Sequence, residues 1–264
     1  MGSSATWLPR LASAVGPVEE VDALGAGVWR AELGGHTVVV KAGPGAADEA
    51  SGLAALAAVT GGPPVPEVVL AKTDLLVTTW VAPGPRTPAA EEQLGRELAC
   101  LHSSPQPAWG GGSAWIGACP VSADDHPDAA GFYGHRLRDL AARCGLEDPV
   151  ARVVARLPQL LPPGPPALVH GDLWWGNVLW GDDGRAWLID PSVHGGHPEE
   201  DLAMLALFGA VPARLCGAYD DALAPADDRD GRVALFQLYP LLVHAVVFGG
   251  SYRLQAEAVA RSYG

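Results

Sequence analysis

Lysine is almost missing from this chain: Lys41 and Lys72 are the two lysines among 264 residues, against fifteen arginines. A sequence that uses arginine nearly everywhere for positive charge has a reason for lysine where it persists, because a compact ammonium and a planar guanidinium are not interchangeable at a site. Positive charge as a whole is also short, with a formal net charge of −13. That excludes a general nucleic-acid or anionic-membrane surface, both of which need a basic face, and suits a neutral or cationic ligand. The four cysteines (Cys100, Cys119, Cys144, Cys216) lie far apart, with no C-x-x-C pair and no cluster of histidines. This fits neither a zinc site nor a disulfide scaffold, and leads us to expect buried free thiols in a reducing cytoplasm. The opening "MGSSATWLPRLASAVG" lacks the charged and apolar regions of a secretory signal. One uncharged run, Val233 to Gly250, reaches membrane-span length, but it holds Gln237, Tyr239, Pro240 and His244 and ends in two glycines. A kinked core helix is the expectation there. No internal repeat and no long low-complexity tract is present.

What is there reads as an α+β chain in two unequal lobes. At 264 residues and 48% hydrophobic content the chain can bury a sizeable core, and its length is better suited to two cores than one. Residues 27–43 are two β-rich runs joined at Gly34-Gly35, residues 48–62 a helical stretch, and residues 67–81 a second hairpin turning at Lys72 to Asp74. The proline-rich "APGPRTP" (82–88) reads as a linker. It divides a β-rich segment, 1–82, from an α-rich one, 83–264. The latter carries helical patterns at 128–145, 148–161 and from about residue 200, interrupted by a β-section at 168–190 whose hairpin turns at Asp182 to Gly184.

The β-section contains the chemistry. In "LVHGDLWWGNVLW" (168–180), Asp172 and Asn177 are threaded through an apolar stretch, and "LID" places Asp190 thirteen residues after Asn177. Phosphoryl transfer from ATP needs a carboxylate to orient and deprotonate the attacking hydroxyl, and oxygen ligands for Mg²⁺. Asp172 fits the base, Asn177 and Asp190 the metal ligands, with the hairpin bringing 177 and 190 together. Upstream, Lys41 ends the strand-like "TVVVK" and Glu49 follows at the start of the next helix, as expected of an ATP-binding lysine and its partner. Gly25 and Gly27 form a weaker glycine-loop signal.

These motifs resemble the fructosamine-3-kinase (ketosamine-3-kinase) family within the aminoglycoside phosphotransferase-like kinases. The resemblance rests on "HGDLWWGN" and "LIDP", on "DPSVHGGHPEEDLAMLALFG" (190–209), and on "LFQLYPLLVHAVVFGGSY" (235–252). It implies a two-lobed protein-kinase-like fold, ATP and Mg²⁺ as cofactors, and phosphorylation of the 3-hydroxyl of a ketoamine, which labilises the adduct and releases the amine. It implies that Thr79 to Val81 meet the adenine and that His197 and Glu199 lie near the acceptor; Trp174, between Asp172 and Asn177, stands where a flat indole can cover the apolar face of a sugar. The partner expected is a small sugar-amine, with no nucleic acid and no membrane, for a monomer or weak dimer. Three departures stand out: Val28 replaces the cysteine many members carry after their loop glycines, Trp175 replaces a small residue, and the 116–125 loop lacks the usual Gln and Asn. Aminoglycoside- or choline-type transfer, or an inactive kinase-fold binding module, are the competing readings.

Overall fold

The computed structural model describes residues 7–25 and 27–263. After α1 (Leu8–Val15), the strands β1 (Val18–Gly25), β2 (Val28–Leu33), β3 (His36–Ala42), β4 (Val68–Lys72) and β5 (Leu75–Thr79) form one sheet in the order β1-β2-β3-β5-β4, with α2 (Ala46–Ala57) crossing between β3 and β4. Each neighbouring pair is antiparallel. Side chains alternate across a strand, so each face has its own partner. Val38, Val40, Leu75 and Val77 pack with Trp7 and Leu11, and the rings of Trp7 and Trp29 lie 4.9 Å apart. Leu76 points the other way, to Ala46, Ala50 and Leu53 of α2. The same alternation turns Val39 and Lys41 away from the α1 side.

Strand β1 is not legible in the sequence as a strand. Its residues, VEEVDALG, are mostly exposed and carry three carboxylates, so the apolar alternation is absent. Charge on an edge strand blocks further pairing, which is the role an edge must fill.

The linker is stitched down rather than free: Gly84 donates its N–H to Trp180 O at 2.7 Å, and Asp182 donates to Ala82 O at 2.9 Å. Thr87 then caps α3 (Pro88–His102), its hydroxyl accepting from Ala90 N at 3.1 Å, with Pro88 in the first turn where its missing N–H costs nothing. Short strands follow: β6 (Trp109–Gly110), β7 (Trp115–Ile116), β8 (Cys119–Pro120) and β9 (Asp125–His126). Next come α4 (Ala129–Cys144), α5 (Glu147–Leu160), β10 (Ala167–Val169), the hairpin β11 (Val178–Trp180) and β12 (Ala186–Leu188), and β13 (His194–Gly196). The helices α6 (Glu199–Leu207), α7 (Ala213–Ala222), α8 (Arg229–Phe248) and α9 (Gly250–Tyr263) complete the chain.

Two cores lie in this part. One joins α4, α5, α8 and α9 through Phe132, Leu140, Val153, Leu238 and Ala256. The other joins α3, α7 and the hairpin, and it includes Leu56 of α2 alongside Leu94 and Leu98. Helix α2 therefore belongs to both halves. Helix α8 is long and apolar enough to cross a bilayer by composition, but half of its most apolar stretch is buried in the core, and Pro240 lies inside it as expected of the run at 233–250. The four thiols are free, but they are not uniformly buried: Cys119 is, Cys144 and Cys216 are half-buried, and Cys100 is exposed on the outward side of α3. A helical run places a residue on a helix without saying which face it occupies.

Candidate active site

Strand β10 delivers the chain to His170, and the turn after it is held from below. Gly171 adopts φ +78°, and a Cβ there would stand 2.1 Å from Ser192 O, so no other residue fits. The carboxylate of Asp201, in the first turn of α6, accepts the N–H of His170 at 2.7 Å and of Gly171 at 2.9 Å. His102 of α3 donates Nε2–H to the same carboxylate at 3.1 Å. Burial would raise the Asp201 carboxyl, but the hydrogen bond and charge of His102 and the His170 side outweigh it and hold it below the usual range. Burial also pushes the His170 imidazole down, keeping it neutral. Its Nε2–H donates to Ile189 O at 3.0 Å and its Nδ1 accepts the Asp172 N–H at 3.3 Å. That one ring couples the loop bearing Asp172 to the strand end bearing Asp190.

Asp172 sits low in the cleft, where burial pushes its carboxyl up to about 7, with the Asn177 hydrogen bond opposing and the Asp201 charge adding. Asn177 spends its amide N–H groups on Asp172, 2.8 Å to the backbone O and 3.2 Å to Oδ2. That orientation leaves the Asn177 Oδ1 as an acceptor. Asp190 has a left-handed backbone, φ +55°, unusual for a residue with a side chain and characteristic of constrained functional positions. Its carboxylate contacts the Lys41 ammonium, which is also bonded to Glu49 Oε1 at 2.6 Å. One amide oxygen and one carboxylate make the donor set that Mg²⁺ uses when water and phosphate complete its shell, so these residues fit that ion.

Two cavities meet here, sharing Val28, Lys41, Glu49 and Asp190. One, of about 490 Å³, is mostly apolar and bounded by Val39, Leu53, Thr79, Val81, Trp180 and Ile189. The other, of about 390 Å³, is more polar and holds Asp172, Asn177, Trp174, Ser113 and Trp115. Asp172, Asn177, Asp190, Lys41, Glu49, Thr79, Val81 and Trp174 are thus brought to one cleft. Gly25 and Gly27 flank its rim at the turn between β1 and β2, where Gly27 has φ +77° and its O accepts from Ala42 N. The residue between them, Ala26, lies outside the described residues.

His197 and Glu199 are not brought there, and neither lines either cavity. His197 stacks on Phe236 at 5.3 Å, and Glu199 is buried in a bidentate pair with Arg232. Two residues after Glu199, Asp201 is the carboxylate that binds the backbone of the loop bearing Asp172. Sequence reasoning also passed over His102 and Trp115. A lone histidine at the end of α3 carried no signal, and Trp115 comes from a loop with no periodic pattern.

The model of the fructosamine kinase family matches residues 44–263. The chain belongs to the fructosamine kinase family. A probable ketoamine kinase of Thermus thermophilus is 34% identical over 207 residues, 77% of either chain. A crystal structure provisionally described as a fructosamine-3-kinase, from Thermobifida fusca, superposes with a TM-score of 0.88 at 36% identity, covering 99% of both chains. At 14% identity, the ternary complex of APH(2″)-IIa with streptomycin and ATP superposes with a TM-score of 0.70 over 100% of this chain and 97% of that one, a likeness of fold alone. As a fructosamine kinase family member the protein is a small-molecule phosphotransferase with a kinase fold, β-rich before the linker and helical after it.

Proposed function

We propose that the protein transfers the γ-phosphoryl group of ATP to the 3-hydroxyl of a ketoamine, with the two lobes meeting at residues 82 and 83. One observation carries the reading: Lys41, Glu49 and Asp190 converge on a cleft whose floor holds Asp172 and Asn177. The apolar cavity suits adenine beside Thr79 to Val81, with Gly25 and Gly27 at the phosphate end. Lys41, fixed by Glu49, grips phosphate oxygens. Asn177 and Asp190 would hold Mg²⁺, which neutralises charge on the phosphates when bound. The Asp172 carboxylate orients the acceptor hydroxyl and takes its proton, and Trp174 offers a flat ring to the sugar. The product carries phosphate next to the ketone carbon, where enolisation toward the amine-bearing carbon expels it as inorganic phosphate; water then hydrolyses the resulting imine and frees the amine. The test is phosphorus and carbon NMR of the product formed from ATP and an N-fructosyl amine. Phosphate on C3 is the expected outcome; phosphate elsewhere, or transfer to aminoglycosides or choline alone, refutes the reading.

Lys41→Arg keeps the charge but not the shape. Lys41 is nearly enclosed by Glu49 and Asp190, and a forked guanidinium cannot sit as a point charge between them. KM for ATP is expected to rise about tenfold, the equivalent of 1.4 kcal/mol. Steady-state kinetics at varied ATP checks this, and unchanged kinetics would make the scarcity of lysine a coincidence.

A further inference from the structure

Aromatic residues make up 7% of the chain, and most of their rings are wholly or partly buried. Among the described residues the tryptophan, phenylalanine and tyrosine rings that are exposed are Trp174 at 39%, Phe208 at 38% and Phe248 at 68%. All three belong to one continuous run of rings. Trp174 meets Phe208 edge-on at 6.0 Å, Phe208 meets His244 at 5.1 Å, and His244 meets Tyr252 at 4.9 Å and Phe248 at 5.6 Å. The run starts inside the cleft, on the loop between Asp172 and Asn177, and ends on open surface.

The far end is built by a chain reversal. Gly249 and Gly250 both take positive φ, +63° and +56°, backbone that favours glycine, where α8 ends and α9 starts. This folds Tyr252 back onto His244 and leaves Phe248 standing outward. His244 is fixed in the middle: its Nδ1–H donates to Pro240 O at 2.7 Å, leaving Nε2 as an acceptor. Singly exposed apolar side chains are ordinary, but a contiguous patch of exposed rings marks a binding surface.

We propose that this strip, Phe208, His244, Phe248 and Tyr252, binds the substituent carried on the amine of the acceptor, and favours apolar and aromatic amine groups. The inference rests on the ketoamine reading of the cleft. In a ketoamine the nitrogen lies three bonds from the carbon bearing the reacting hydroxyl. With the sugar against Trp174, the amine substituent must leave the cleft, and the ring run is continuous with that exit. Aromatic faces and edges accept hydrocarbon and aromatic groups without demanding a hydrogen-bond partner.

The test compares two adducts of the same sugar, one on methylamine and one on benzylamine. Calorimetric Kd and kcat/KM with ATP are measured for the wild type, Phe248→Ser and Tyr252→Ala. The wild type is expected to favour the benzyl adduct about tenfold in both quantities, the factor 1.4 kcal/mol represents, and the ratio should fall toward one in both variants. Phe248 is exposed enough to be replaced without opening the core, and melting temperature verifies this. A wild type without preference, or a preference that survives both substitutions, overturns the proposal. So does a dimer in sedimentation velocity that Phe248→Ser dissociates, because the strip would then be covered by a second copy. Preferential binding of the benzyl adduct without any phosphate transfer would sustain the strip and refute the ketoamine reading. Transfer without preference would do the reverse.

Discussion

Asp172→Asn is expected to lower kcat by about 10²–10⁴-fold, the usual contribution of a positioned general base, while leaving the protein folded and better able to withstand heat. The substitution keeps the shape that Asn177 contacts and removes the carboxylate proposed to accept the proton. The gain in stability follows from burial. In the folded protein the carboxyl is pushed up to about 7 from an ordinary 3.8, so between those pH values the native state holds a proton the unfolded chain has released. Stability then falls as pH rises through that window. The variant escapes this penalty, so its melting temperature should exceed that of the wild type at pH 7 and above. The gap should close as pH falls below 3.8, where both folded and unfolded wild type carry the proton. In the wild type, kcat/KM for the acceptor should rise with pH through about 7, as the base loses its proton. Calorimetry across pH and a pH–rate profile check both halves. A variant with full turnover removes Asp172 from the mechanism, and one less stable than wild type at neutral pH refutes the account of its burial.

Asp201→Ala is expected to be the most disruptive single change away from the cleft itself. The carboxylate is 1% exposed and accepts two backbone N–H groups and the His102 ring. Its removal leaves those donors buried without a partner, a class of change that costs about 3–5 kcal/mol. Because the two backbone donors are His170 and Gly171, the loop carrying Asp172 loses its support as well. Lower stability is therefore expected together with a fall in kcat, whereas Asp172→Asn lowers kcat and raises stability. Asp201→Asn provides the control: it keeps one acceptor oxygen for the loop, so it should retain more of both properties than the alanine variant. Equal stability of Asp201→Ala and wild type in urea would show that the network contributes nothing. The Asp201 carboxyl is held below its ordinary value, so its contribution is present above about pH 4 and is lost as acid protonates it in the fold.

The parts of this protein that could be read from its sequence are those with a period or a punctuated motif. The hairpins at 34–35 and 73–74, the capped start of α3 at Thr87-Pro88 and the helix α4 all lie where alternation, turn residues and caps place them. The cleft was legible for a related reason: Lys41, Asp172, Asn177 and Asp190 are polar groups set in strand-like apolar runs. What was not legible is what depends on distance in the chain. Asp201 reads as one carboxylate among three at a helix start, and only folding distinguishes it from Glu199, which turns to Arg232, and from Glu200, which turns to His194. Strand β1 has no buried face to announce it. The strands between Trp109 and His126 are two residues long, too short to carry any period.

The position of α2 has a consequence for Lys41. Gly52 lies against Pro191, so close that an added Cβ would stand 3.0 Å from its ring. Leu56 is buried with Leu94 and Leu98, and Asp48 accepts the Ala114 N–H at 3.0 Å. All three ties reach residues after the linker, while Glu49 on the same helix steadies Lys41. For that glutamate to swing away from Lys41, the helix would have to tear its packing from the larger core. The fold thus makes the Lys41–Glu49 pair a fixed part of the framework, tied to the residues after the linker rather than to the sheet alone.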